Sequence, residues 1–300
     1  MTKRTFIMYI FMAFLAIIAI YQFVLSDSDA KVEDDKSGLI FENYEKLLAN
    51  EPTPFEIIDY LNINLDVVDK AAADIMIIRT IDYNKDYMDQ DEAADLYALL
   101  DEHYGIEVYF KIDDLNNLKE LDDDTLAIMT KYKNGGYKLA EDEVTYWLEL
   151  DYKFYIDSYS KYLSPELQDY LAIISLPTIV ESNKLIATWD ELANQIILNE
   201  NYITSYEESN FYKIDEYLKL ANSNYQSYLR YYIIGIESTK PYDITTNIVK
   251  SEVLTSYNNI INHYPTSKLA ATLTIYLNKL KTTNNVFTDT ISLEMNDLLK

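Results

Sequence analysis

The chain has 300 residues, 49% of them hydrophobic, with no cysteine and a formal net charge of −25. That composition excludes wholesale disorder, disulfides, thiolate nucleophiles and a lipidated amino-terminal cysteine, and so acidic a surface repels nucleic acid and anionic lipid headgroups. The charge is uneven: residues 26–160 hold 34 acids against 12 bases and residues 161–300 hold 16 against 11, which predicts two regions with different surfaces.

Thr5–Leu25 (TFIMYIFMAFLAIIAIYQFVL) carries no charge. As a helix it would reach roughly 31 Å, about the hydrocarbon thickness of a bilayer. Lys3 and Arg4 precede it and Asp27, Asp29, Glu33, Asp34 and Asp35 follow. The positive-inside rule therefore predicts a single-pass anchor in the cell membrane with the rest of the chain extracytoplasmic. The apolar core exceeds the usual length of a cleaved secretory signal, which favours an anchor over residues 1–25. Ser28-Asp29-Ala30 offers small residues for the alternative, secretion after signal cleavage. Abundant Asn, Ile, Lys and Tyr fit an exported protein of a low-GC bacterium.

Residues 26–36 read as an acidic linker. An acidic helical region is expected from 37 to 134, beginning with Leu39–Leu48 and a second helix opened by Pro54. A third is expected over 65–83, capped by Asn64 or Asp66, with an apolar face of Val67, Val68, Ala71, Ala72, Ile75, Ile78 and Ile81. Asp91 opens another helix that Gly105 ends, and Ile106, Val108, Phe110 and Ile112 alternate as in a strand. Short helices follow over 113–120 and 122–132, and Asn134-Gly135-Gly136 is a turn. A count of five glycines argues against β-sandwiches and phosphate-cradling loops.

From 137 to 300 the pattern predicts an array of antiparallel helices: 141–162, 165–174, 177–186, 190–205, 211–237, 242–264, 267–281 and 288–299, with Pro165, Pro177, Pro241 and Pro265 at the junctions. The fold class expected is thus all-α, a transmembrane helix followed by helical hairpins.

This half contains an echo. Asn201–Ser209 aligns with Asn259–Ser267, pairing Ile203 with Ile261, Tyr206 with Tyr264 and Ser209 with Ser267. In the later copy a helix ends at Tyr264, Pro265 forces a turn and Ser267 caps the next helix. Residues 256–281 (SYNNIINHYPTSKLAATLTIYLNKL and Lys281) resemble the tetratricopeptide-like repeats of bacterial envelope proteins, including the tol-pal coordination type. The likeness rests on Tyr264-Pro265-Thr266-Ser267 followed by the small residues Ala270-Ala271. Glu207 replaces the proline at the earlier site, and the 58-residue offset exceeds what a strict array needs. The resemblance implies a helical scaffold for protein contacts.

Chemistry is sparse. His103 and His263 each sit at a helix end, where a histidine suits the helix dipole, and no zinc or serine-hydrolase motif surrounds them. Asp82, Asn84 and Asp86 begin like an EF-hand loop, but Tyr87 stands where glycine belongs and Ala93 where the bidentate glutamate belongs. That leaves a calcium-dependent module as one alternative. Carboxylates near Glu143 and Asp151 supply another, a glycan hydrolase of the cell envelope. Tyr146, Trp147, Asp151, Tyr152 and Tyr155 form the candidate binding cluster, although Tyr146, Leu150 and Phe154 also follow the spacing of a core stripe. The 29 tyrosines fit either helix–helix contacts or an interaction surface. The function expected is a non-enzymatic scaffold, without cofactor or metal, that binds a protein or cell-wall component and no nucleic acid.

Overall fold

The computed structural model of the protein describes residues 34–88, 123–141 and 146–299. The apolar segment 5–25, most of the linker, the helix opened by Asp91, His103, the alternating 106–112 segment, the 113–120 helix and Glu143 lie outside the described residues. Among the described residues no helix is long and apolar enough to cross a membrane. They are predominantly helical, as expected, with two short β-hairpins added.

The helices are α1 (Asp34–Ala49), α2 (Pro54–Asn64), α3 (Lys70–Met88), α4 (Asp123–Asn134), α5 (Tyr152–Tyr159), α6 (Pro165–Ile174), α7 (Trp189–Tyr206), α8 (Ile214–Ile233), α9 (Ser251–His263), α10 (Lys268–Thr282) and α11 (Asp289–Leu298). Their starts are written in side chains. Thr53 and Thr188 make capping boxes with Glu56 and Glu191, and Ser164, Ser267 and Thr288 each accept a backbone N–H of the first turn. Each such cap satisfies one of the amides that a helix start leaves without an internal partner.

Helix α3 is the axis of the first core. Ala73, Met76, Ile77, Thr80, Ile81 and Asn84 are all buried along it. Of the face expected from sequence, Ala72, Ile78 and Ile81 are buried and Val68 and Ile75 half-buried, but Ala71 is exposed, and Val67, 45% exposed, precedes a helix that starts after Asp69 accepts the Ala72 N–H. Tyr44 donates to the Met76 carbonyl at 2.8 Å, Tyr137 to the Asn84 carbonyl at 3.0 Å, and the Asn84 amide to the Tyr155 hydroxyl at 2.9 Å. Asp74, 2% exposed, accepts the Ser164 N–H at 3.0 Å where α6 begins. This core unites residues on both sides of the expected 134/137 boundary, since Leu61 and Met76 pack in one cluster with Leu148, Leu167 and Tyr217.

The second core joins α7, α8, α9, α10 and α11 through Leu192, Ile196, Tyr232, Val253, Tyr257, Leu273, Tyr276 and Ile291. Helices α7 and α8 pack against each other and supply residues to both cores. Glu200 of α7, 6% exposed, accepts the N–H groups of Lys268 at 2.5 Å and Leu269 at 3.0 Å, so a carboxylate of one hairpin caps the helix of the next.

Three predicted helices are corrected. The 141–162 segment is instead strand β1 (Tyr137–Glu141) paired antiparallel with β2 (Tyr146–Leu150), followed by α5. Tyr137, Leu148 and Leu150 turn inward with a period of two, and Lys138 pairs with Glu149 across the outer face at 2.9 Å. Gly136 admits this turn: its φ is +87°, and a Cβ there would lie 2.9 Å from the Tyr155 hydroxyl. The 177–186 segment is a hairpin of β3 (Val180–Glu181) and β4 (Lys184–Leu185), because Ser182 and Asn183 both take positive φ, the requirement of a type I′ turn. Residues 242–250 do not begin a helix. Asp243 accepts the N–H groups of Thr245 and Thr246, Asn247 takes φ 57°, and the loop is braced on Asn285 and Phe287 before α9 starts at Ser251.

Candidate functional site

The cluster expected over 146–155 is divided by the structure. Tyr146 and Trp147 belong to β2. Asp151 caps α5 by accepting the Lys153 N–H at 3.0 Å, a structural use of the carboxylate that the hydrolase reading invokes. Tyr152 is half-buried with the Lys85 ammonium 5.7 Å from its ring centre. Tyr155 is 0% exposed, packed edge-on against Phe154, and burial holds its phenol well above the ordinary range. Tyr155 therefore belongs to the core and offers no stacking platform.

The calcium candidate is placed only in part, since residues 89–93 of its loop lie outside the described residues. Asp82, Asn84 and Asp86 lie on the continuous helix α3, where residues two apart face different sides and cannot converge on one ion. Asn84 is buried and bound to Tyr155, and Asp82 accepts from the Lys213 ammonium at 2.7 Å. Among the described residues no group of three or more His, Asp or Glu side chains could hold a metal. His263 closes α9 as expected, its Nδ1 2.8 Å from the Asn259 carbonyl, which makes Nδ1 the protonated nitrogen.

Many of the described tyrosines pack in the two cores. Tyr44, Tyr137, Tyr155, Tyr159, Tyr202, Tyr232, Tyr257 and Tyr276 are almost fully buried. Most have a hydroxyl partner: Tyr159 donates to Asn62 at 2.9 Å, Tyr257 donates to the Tyr232 carbonyl at 2.7 Å, and Tyr232 and Ser256 share a 2.6 Å bond. The Tyr202 and Tyr276 hydroxyls have none among the described residues. Where the hydroxyl is partnered, the ring packs in the core while a carbonyl, amide or hydroxyl takes the phenol O–H.

A concavity lies elsewhere, between the end of α6, the 175–180 connection, and the adjoining turns of α7 and α8. It has a volume of about 280 Å³. Ile173, Pro177 and Ile179 line it from the α6 side, Gln195 and Asn199 from α7, and Asn224 and Tyr228 from α8. Gln195 donates to the Pro177 carbonyl at 3.0 Å and so ties the connection to α7. Asn199 is 1% exposed; its amide N–H donates to the Gln195 carbonyl at 2.8 Å, which orients Oδ1. That Oδ1 is buried without a hydrogen-bond partner among the described residues. An unsatisfied buried acceptor costs on the order of 1–3 kcal/mol.

No acid, base or histidine lines this crevice. Burial also raises the Tyr228 phenol, so it stays neutral at physiological pH. Hydrogen bonding and ring stacking are therefore the chemistry available, without a general acid or base. A second hollow, of about 350 Å³, is lined by Phe55, Asp59, Thr130 and Lys131, but the Lys131 ammonium already sits 4.4 Å from the Phe55 ring centre. Sequence reasoning missed Gln195, Asn199 and Asn224. Their one signal is amides four residues apart, Gln195 and Asn199, within the apolar stripe of Leu192, Ile196 and Tyr202. Compared with protein families, characterised proteins and solved structures, the chain matches none.

Proposed function

We propose that the protein is a non-catalytic binding protein, tethered by residues 5–25 to the cell membrane, whose helical body works outside the cytoplasm and holds a protein or cell-wall component in the α6–α7–α8 crevice. The observation that carries this reading is the uncharged crevice with the Asn199 oxygen buried and unpartnered at its side. An acceptor left unsatisfied in a pocket lined by no acid, base or histidine, whose one phenol stays neutral, suits recognition and offers little to proton transfer. The tether and its direction rest on the uncharged Thr5–Leu25 segment between Lys3-Arg4 and five following acids. The likeness of residues 256–281 to tetratricopeptide-like repeats supports a scaffold in the same sense.

A photo-reactive residue placed at exposed Thr178, on the crevice rim, tests the reading in intact cells treated with external protease. A discrete adduct that disappears when Tyr228 is changed to Ala, on a body shaved from outside, is the expected result. Protection from protease overturns the topology. An adduct pattern equal to that from exposed Leu293, far along the chain on α11, overturns the crevice as the binding site.

A further inference from the structure

Resting on that binding reading, we infer that the crevice takes one neutral N-acetylated sugar unit of a glycan. Charge comes first. The lining has no cation to attract an anion and no carboxylate to attract a cation, and the chain's net charge of −25 adds repulsion for any anionic ligand. A neutral ligand remains. Next is the demand of the buried acceptor: Asn199 Oδ1 needs an N–H or O–H donor in a desolvated place, and an acetamido N–H supplies it.

The other groups complete a sugar's needs. The Asn224 amide and the Tyr228 and Thr178 hydroxyls offer donors and acceptors for ring hydroxyls and the acetyl carbonyl. Pro177, Ile179 and the Tyr228 ring give apolar surface for the C–H face and the methyl group. Asn224 and Tyr228 are half-buried, so their polar groups are partly open to solvent at the crevice. Volume sets the width: about 280 Å³ lies just below the range of drug-sized ligand sites, room for one ring at a time. An extended peptide would instead seek a free strand edge or a long apolar groove, and β3 is two residues long and already paired.

The test is calorimetric titration of the full chain in detergent with the N-acetylglucosamine trimer, against cellotriose, which lacks acetamido groups. The trimer binds with Kd between about 10 μM and 1 mM, and cellotriose at least about tenfold more weakly. Asn224→Ala and Tyr228→Ala lower the affinity about tenfold or more with unchanged melting temperature. Asn199→Leu abolishes binding while leaving the fold as stable or more so, because it removes an unsatisfied acceptor. Absence of binding at about 10 mM trimer, equal binding of cellotriose, or indifference to all three variants refutes the sugar assignment. If the trimer fails while the Thr178 adduct to a protein persists, the sugar falls and the binding reading stands; loss of both removes both.

Discussion

Asp74 lies buried where α3 meets the start of α6, and its carboxyl is pushed up to about 6 by loss of water, against the lowering effect of the Ser164 N–H bond; Glu166 adds to the rise and Lys70 opposes it. In the unfolded chain an aspartate titrates near 3.9. A carboxyl raised on folding binds its proton more tightly in the native state, so its stabilising contribution is complete below about pH 4 and is lost as pH rises through 6. Undiminished, the displacement from 3.8 to about 6 corresponds to about 3 kcal/mol against the ionised form. Relaxation and water penetration around a single carboxylate reduce that to about 1–2 kcal/mol. Asp74→Asn mimics the neutral state and keeps an oxygen for Ser164. It should therefore be more stable than the parent chain by about 1–2 kcal/mol at pH 7.5, and the difference should shrink to nothing near pH 4. Urea unfolding followed by near-ultraviolet circular dichroism of both proteins between pH 4 and 7.5 measures it. Subtracting the two curves cancels the other 49 acids of the chain. A difference that is flat with pH, or that grows on acidification, would refute the reasoning.

Other outcomes follow from the same geometry. Glu200→Ala strips the cap from α10 and should cost about 2–3 kcal/mol, read as a lower melting temperature and faster hydrogen exchange at the Lys268 and Leu269 amides. Tyr257→Phe should lose about 1–2 kcal/mol with its 2.7 Å bond to the Tyr232 carbonyl, whereas Tyr276→Phe, whose hydroxyl has no partner among the described residues, should be neutral or stabilising in the same urea assay. Gly136→Ala forces a methyl against the Tyr155 hydroxyl at positive φ and should cost more than about 1 kcal/mol; thermal unfolding at or above the parent temperature would contradict the close packing described.

Much of the helical frame is legible in the sequence because its signals are local. Pro54, Pro165 and Ser267 mark helix starts through rules that involve only the first turn, and the structure places starts there. The echo between 201–209 and 259–267 is half realised: Tyr206 and His263 end helices, but Ser209 caps nothing and α8 opens at Lys213 with φ 62°. The hairpins escape because their cause is not local in the same way. Tyr146, Leu150 and Phe154 satisfy a four-residue period by coincidence, and only the pairing of Leu139 with Leu148 makes the two-residue period of Leu148 and Leu150 decisive. Ser182-Asn183 takes a geometry that Asn-Gly would have announced. The site was illegible for a related reason: tyrosines look like surface reagents in composition and become core, while Gln195 and Asn199 look like solvent-facing amides and are buried.

Helix α7 has a mechanical consequence. Gln195, Asn199 and Glu200 occupy one rigid rod, the first two at the crevice and the third clamped to the amino end of α10. Five residue steps of helix carry Gln195 to Glu200 over less than about 8 Å, and Asn199 is adjacent to Glu200. The amino end of α10 is thus held, through the Lys268 and Leu269 amides, to the same rigid element that lines the crevice.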